Sequence, residues 1–234
     1  MGVNENFEMF ISYINKFINR DGKEKFLEWL LTTDIMYAPA STQYHLSQDG
    51  GLVVHSMNVM KRLIKLINME YGSIEKSPFS RETIVFVSLL HDIAKTNFYE
   101  KYSKNVRNQE NGQWEQFISY KVKEPKNRLQ FGSVGENSVY ILQKFFDVSI
   151  EEASAIKWAE GYSKSNDTAT ISAVYNLYGT SRLAVLLHLA DMLAICIDES
   201  QNFPLVDVEI PQKEEQYDEQ DSLKPTPETS DCPF

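Results

Sequence analysis

The sequence predicts an all-α domain with an inserted β-hairpin and an extended or disordered acidic C-terminal tail. Three observations support this fold class. Apolar residues recur at helical spacing along most of residues 6–199. Residues 97–130 instead alternate polar and apolar positions around Asn111-Gly112, a pattern typical of a hairpin turn. Residues 206–234 contain nine acids against two lysines, together with four prolines and few apolar side chains.

Breaks in the periodicity and capping residues locate the helices. Asp21-Gly22 divides the first apolar segment, Ser80 is a suitable N-cap, and the segment "SIEE" beginning at Ser149 matches a capping box. The expected helices cover approximately residues 6–32 (as two helices), 52–70, 80–94, 133–146, 149–160, 169–178 and 181–199. We therefore predict N-terminal helices at 1–37 that pack on the core, a main helical domain at 38–200 with the hairpin at about 97–130, and a tail at 201–234.

Composition restricts the class of protein. The chain has 234 residues, of which 42% are hydrophobic and 24% charged, values typical of a globular protein. Two cysteines are too few for a disulfide framework and the first residues lack a signal-peptide pattern, so we expect a cytoplasmic protein. The most apolar segment, 183–197, is too short for a membrane span. The net charge of −10 gives no strong signal for nucleic-acid binding.

Four polar side chains in apolar helical segments are candidate ligands of a divalent metal. The first is His55. His91 and Asp92 follow the apolar segment "TIVFVSLL", and Asp191 is the only acid in 183–197. Two imidazoles and two carboxylates suit such a metal, which would also compensate the buried charges. Taken singly, each is more often an ordinary buried residue, but their joint occurrence on three helices favours a shared site.

Two other histidines have more than one interpretation. His188, three residues before Asp191, is more often a core residue, and the alternative is an outer contact of the metal site. His45 lies in a polar loop and is either a surface residue or one at the mouth of the site.

The segments "GGLVVHS" (50–56), "LLHDIAK" (89–95) and "LLHLADMLA" (186–194), in this order, resemble the HD-domain superfamily of metal-dependent phosphohydrolases. The resemblance covers about residues 38–199 and implies an HD-domain helical bundle. It implies that His55, His91, Asp92 and Asp191 hold a divalent metal, with Asp92 or Asp191 also orienting the attacking water. It leaves the metal open among Mn, Mg, Co, Ni, Fe and Zn. Parts of the chain also resemble uncharacterised HD hydrolases of bacteria and their viruses, and the HD domain of bacterial 3′–5′ exoribonucleases.

This sequence departs from many such relatives at two positions. Those relatives have histidines that help to bind a second metal where this chain has Val134 and Ala159. The resemblance therefore implies one metal per chain, or a site degraded from a two-metal ancestor. Glu160 is a candidate replacement ligand or acid–base group, or else an exposed residue at a helix end. Glu136 is either an outer contact of the site or an acid that favours a helix N-terminus.

Basic residues near the predicted site suggest a phosphorylated substrate. Residues 95–128 contain eight basic residues against four acids. Lys95, Lys101 and Arg107 are candidates for binding phosphate oxygens. The alternatives are a lysine that complements a helix C-terminus and a solvated hairpin of mixed charge. No glycine-rich phosphate-binding motif identifies the substrate.

Three functions are consistent with these patterns. The first is a metal-dependent phosphohydrolase that cleaves a phosphoester of a nucleotide or a similar small substrate. The second is a catalytically degraded HD protein that binds a nucleotide or a protein. The third is a 3′–5′ exoribonuclease-like phosphodiesterase, which the acidic balance and the absence of a recognisable OB-type domain disfavour. The sequence leaves homo-oligomerisation open.

Overall fold

A computed structural model describes residues 2–107, 112–161 and 167–200. Those residues form eight α-helices and one two-stranded antiparallel hairpin, which confirms the predicted fold class. The elements are α1 (Val3–Phe17), α2 (Lys23–Leu31), α3 (Gly51–Tyr71), α4 (Arg81–Leu90), β1 (Tyr99–Arg107), β2 (Trp114–Val122), α5 (Val134–Leu142), α6 (Ile150–Lys157), α7 (Thr168–Thr180) and α8 (Arg182–Leu193). The acidic tail predicted at 201–234 lies outside the described residues, and the predicted boundary at 37/38 stays a prediction.

Helix α3 lies at the centre of the bundle, packed against α4 and α8. It begins after Gly50, whose φ of 76° is a left-handed conformation that glycine adopts without strain. Gly51 has no Cβ atom, and one there would collide with the Leu46 carbonyl oxygen. The preceding loop can therefore approach the first turn of α3 closely. The sequence "DGG" thus holds the loop at 38–50 against the helix that contains His55.

Several helices end earlier than their periodicity predicts. The helix predicted to reach Ala94 ends at Leu90, and Ile93–Lys95 forms a separate 3₁₀ turn. The Ser88 carbonyl, which a continuing helix would use as an acceptor for the Asp92 N–H, accepts a bond from His91 Nδ1 instead. The helices predicted to reach residues 146 and 160 end at Leu142 and Lys157. The last predicted helix is regular to Leu193 and continues as a π turn over Ala194–Asp198.

The hairpin is confirmed, with β1 and β2 paired from Tyr99–Val122 to Arg107–Trp114. Gly112 has the left-handed φ of 72° expected near a turn, whereas Asn111 of the predicted turn lies outside the described residues. The hairpin is attached to the loop before α3, because Asp49 accepts bonds from Tyr120 Oη and from Lys101 Nζ. At its base, Lys123 N donates to Phe98 O at 3.0 Å.

Helices α7 and α8 meet at Ser181, whose side chain accepts a hydrogen bond from Ala184 N and caps α8. Among the described residues, no single helix is both long and apolar enough to cross a membrane. Two consecutive helices, Thr168–Thr180 and Arg182–Asp198, are long and apolar enough only when they are taken together, and the chain bends by 109° between them.

An ion pair at the edge of the core connects the turn after α1 to α6. Arg20 donates to both carboxylate oxygens of Glu152, at 3.2 and 2.8 Å. Its guanidinium also lies 4.1 Å from the centre of the Phe86 ring. Because Glu152 is only 4% exposed, its charge depends on Arg20 for compensation.

We expect Arg20→Ala to lower the free energy of unfolding by about 3 kcal/mol, because it leaves the Glu152 carboxylate buried without its cation. The matched control is Arg81→Ala, which breaks an exposed pair with Glu75. That control should cost at most about 1 kcal/mol. Urea denaturation of the two variants measures the difference, and equal losses would contradict the assignment.

Candidate metal centre

The structure brings together the four side chains that the sequence predicts as metal ligands. His55 comes from the second turn of α3, His91 and Asp92 directly follow α4, and Asp191 comes from α8. All four are at most 3% exposed. Residues far apart in sequence therefore meet in the centre of the bundle.

Their ligand atoms face one another. His55 Nε2 lies 3.1 Å from Asp191 Oδ1 and 3.6 Å from Asp92 Oδ2. His91 Nε2 lies 3.7 Å from Asp191 Oδ1 and 3.5 Å from Asp92 Oδ2. One ligand atom each from His55, His91 and Asp191 lies within 4.8 Å of the other two, close enough to share a metal ion.

Neither Nε2 atom makes a hydrogen bond, although both are fully buried. Each ring uses its other nitrogen: His91 Nδ1 donates to Ser88 O at 2.9 Å, and His55 Nδ1 lies 3.1 Å from both carboxylate oxygens of Glu199. A neutral imidazole that donates from Nδ1 presents a lone pair at Nε2. Two such lone pairs beside two carboxylates require a cation between them, so these residues fit a divalent metal.

Without a metal, protons supply that positive charge. Burial alone lowers the pKa of His55, but Asp191 and Glu199 raise it to about 10. Burial likewise opposes charging of His91, yet Asp92 and Asp191 raise its pKa above the ordinary value. The two histidines in turn hold the pKa of the Asp191 carboxyl well below its usual range, against the effect of burial. The charges of the centre thus strongly favour the binding of cations.

Lys95 contacts this centre through Asp92. Because α4 ends at Leu90, Lys95 does not continue the helix that precedes His91. Its ammonium lies in the 3₁₀ turn, 2.6 Å from Asp92 Oδ2 and 3.5 Å from Glu160 Oε1. Burial lowers the pKa of Lys95, but Asp92 and Glu160 together raise it above its ordinary value. Lys95 is therefore a fixed positive charge beside the four candidate ligands.

A cavity of about 1080 Å³ opens beside the centre. Asp191, Lys95 and Glu160 all line it, which gives the buried cluster a face toward the cavity. Other lining residues include Tyr44, His45, Phe98, Tyr99, Val134, Glu136, Lys157 and Trp158. Lys101 and Arg107 are not among them: Lys101 pairs with Asp49, and Arg107 donates to Gly112 O at 3.2 Å on the exposed hairpin.

A family model for the HD domain matches residues 52–195, which is more than half of the chain. The chain belongs to the HD-domain family. No curated protein and no solved structure gives a significant match. Families of this kind are typically metal-dependent phosphohydrolases, and the buried histidine and aspartate cluster of this HD domain is consistent with the HD motif.

Val134 and Ala159, the two positions that the resemblance matches to histidines, lie at or beside the cavity. Val134 lines the cavity, whereas Ala159 is 1% exposed. The Ala159 carbonyl accepts a bond from His188 Nδ1 at 2.7 Å, and the His188 ring stacks on Tyr178. This geometry fits the interpretation of His188 as a structural residue. Glu136 closes the capping box of α5 and pairs with Lys157.

Sequence reasoning missed Glu199, a buried acid that contacts the HD-domain centre. Its carboxylate lies 2.6 Å from His45 Nδ1, in addition to its contacts with His55 Nδ1. Burial raises the pKa of Glu199, but His45 and His55 lower it to about 2. The available signal is an acid two helical turns after Asp191 at the end of an apolar helix. In a regular helix, position 198 would lie on the same face as Asp191, so helical periodicity favours Asp198 over Glu199.

Proposed function

We propose that this HD-domain protein is a metal-dependent phosphohydrolase that cleaves a phosphoester of a nucleotide or a similar small phosphorylated molecule. The observation that supports this most directly is the pair of buried, unbonded Nε2 atoms that face Asp92 and Asp191. Since Asp191 also lines the cavity, a substrate in that cavity can reach the centre.

His55, His91, Asp92 and Asp191 would hold the metal, one ion per chain. A metal in such a centre lowers the pKa of bound water and acts as a Lewis acid on a phosphoryl oxygen. Asp92 Oδ2 faces the Nε2 atoms of both histidines, at 3.6 and 3.5 Å, and the Lys95 ammonium holds the same oxygen in place at 2.6 Å. That contact orients Asp92 and favours its ionised form, the state that can orient a water or accept its proton.

Lys95 and Glu160 supply the charges that a phosphorylated substrate would meet. The Lys95 ammonium attracts phosphate oxygens on the cavity side of Asp92. The Glu160 side chain is 40% exposed and lies in the same wall, where a carboxyl group can exchange a proton with a leaving group. Phe98, Tyr99 and Trp158 add aromatic faces on which a nucleobase can stack. The cavity volume suits a nucleotide-sized ligand.

A second candidate function, a binding module without catalysis, is favoured by Val134 and Ala159. The resemblance matches both positions to histidines that help to bind a second metal in many relatives, and the Ala159 methyl group is buried at one of them. Such a protein would retain the cavity and bind a nucleotide or a protein partner without cleaving a phosphoester. The exoribonuclease-like function stays a prediction from the sequence.

Metal-dependent release of phosphate or alcohol from a panel of substrates tests the proposal. We expect hydrolysis of nucleoside mono-, di- or triphosphates, or of a bis-aryl phosphate diester, in the presence of Mn²⁺ and none with excess chelator. Asp92→Ala should abolish this activity because it removes a ligand and the partner of Lys95. Nucleotide binding without turnover under every metal condition would favour the binding module instead.

A further inference from the structure

We propose that Glu199 is a positioning residue of the metal centre, which fixes the orientation of His55 through its Nδ1 atom and connects that ligand to His45 at the cavity wall. The inference rests on the proposed metal site and extends it to a residue outside the four candidate ligands.

The carboxylate of Glu199 is enclosed by three donors from two segments. His45 Nδ1 lies 2.6 Å from Oε2, and Asn58 Nδ2 donates to Oε1 at 3.1 Å. His55 Nδ1 lies 3.1 Å from both oxygens. The side chain is only 1% exposed, so these protein groups replace its water contacts. These three donors therefore fix the position of the Glu199 carboxylate.

His55 is thereby held in one tautomer. An ionised carboxylate can only accept, so His55 donates from Nδ1, and Nε2 is the nitrogen that would offer a lone pair to a metal. A carboxylate behind a ligating imidazole also increases the basicity of the ligand nitrogen. His91 differs, because its Nδ1 donates to the neutral carbonyl of Ser88. We therefore expect His55 to be the stronger of the two histidine ligands.

The π turn over Ala194–Asp198 gives Glu199 its position. Two turns after Asp191, a regular helix would present position 198 on the same face, and the one extra residue of a π turn moves position 199 there. Asp198 instead points outward, where its Oδ2 accepts from Arg62 Nε at 2.7 Å. Two adjacent acids thus have different partners, one at the surface and one at the centre.

A second metal held by His45, His55 and Glu199 is the main alternative, since their ligand atoms are close enough to share an ion. That arrangement would use His55 Nδ1, while the first metal uses His55 Nε2, so the ring would have to lose both protons. The Asn58 amide also donates to Glu199, which uses one of its oxygens. The contacts therefore favour a hydrogen-bonded support over a second metal.

The test compares Glu199→Gln with Asp198→Asn, which removes the same charge from the neighbouring residue. Metal affinity is measured by calorimetric titration of the chelator-treated, full-length proteins with Mn²⁺, after circular dichroism has verified their fold. We expect Glu199→Gln to weaken metal binding by about 10- to 100-fold, the usual effect of losing such a support. Asp198→Asn should bind as the wild type does.

His45→Ala provides a second variant that leaves Glu199 and His55 in place. We expect a smaller loss of metal affinity in the same direction, because Glu199 would lose one of its three donors. A role limited to folding would lower the melting temperature of the metal-free protein and leave the affinity unchanged. Wild-type affinity in both Glu199→Gln and His45→Ala would overturn the inference, as would binding of two metals per chain with one lost on mutation.

The same titration separates this inference from the proposed function. If the wild type binds Mn²⁺ and hydrolyses substrate while Glu199→Gln binds equally well, only the role of Glu199 fails. If the wild type binds no metal under any condition, the proposed metal-dependent function fails, and the role of Glu199 fails with it.

Discussion

Asp191→Asn is expected to abolish metal binding and hydrolysis, and to remove the stability that metal adds to the wild-type protein. Asp191 Oδ1 faces both unbonded imidazole nitrogens, at 3.1 and 3.7 Å, and the neutral amide withdraws an anionic ligand while nearly preserving shape. At a metal concentration of 100 times Kd, a ligand that binds only the folded state adds about 2.7 kcal/mol. For a domain of this size that is a shift of about 5–10 °C in the melting temperature.

The measurement is the difference in melting temperature between metal-loaded and chelator-treated samples of each variant. We expect a clear difference in the wild type and none in Asp191→Asn. Asp198→Asn is the control, because it also neutralises an acid of the same segment and should retain the wild-type difference. A wild type that melts at one temperature with and without metal would contradict the metal centre as described.

Metal affinity is expected to increase steeply with pH over the neutral range. In the metal-free protein the pKa of His55 is raised to about 10 and that of His91 is raised above its usual value. Both rings must lose their extra proton to bind metal through Nε2, so binding releases protons. Each proton released increases the affinity about tenfold per pH unit, as long as the pH stays below the pKa of the group. Calorimetric titration in buffers of different ionisation enthalpy counts these protons directly.

His55 and Glu199 give the stability of the metal-free protein opposite dependences on pH. The raised pKa of His55 contributes stability that is fully present below its unfolded value of about 6.5 and is lost as the pH rises toward 10. The pKa of Glu199, lowered to about 2, contributes stability above its unfolded value that is lost as the solution is acidified toward pH 2. Metal should therefore stabilise the protein most at alkaline pH, and a pH-independent affinity would contradict this account.

Much of the fold and of the centre could be predicted from residue patterns. Helical periodicity located the helices, and the polar residues His55, His91 and Asp191 stood out because their surroundings are apolar. Such residues are expensive to bury singly, so several of them in central helices indicate a common partner. The turn residues of the hairpin were equally visible, because strand pairing there is local along the chain.

The remainder depends on contacts that periodicity does not record. The end of α4 at Leu90 follows from a bond between the His91 ring and the Ser88 carbonyl, which competes with the helix. Glu199 reaches the centre only because a π turn shifts the register after Asp191. The positions of Lys101 and Arg107 away from the cavity depend on how the hairpin packs, which a count of charges cannot specify.

The hairpin shows how this bundle can change without losing its centre. Its two ends meet where Lys123 N bonds to Phe98 O, so the helices on either side are joined as if by a short connection. Phe98, Tyr99 and Val122 at this base line the cavity, whereas Arg107 and Trp114 lie at the exposed far end. Lengthening or shortening the strands would therefore add or remove residues at the solvent side and leave the cavity wall in place. The hairpin is a position where this bundle can gain or lose accessory surface with little effect on the buried ligands.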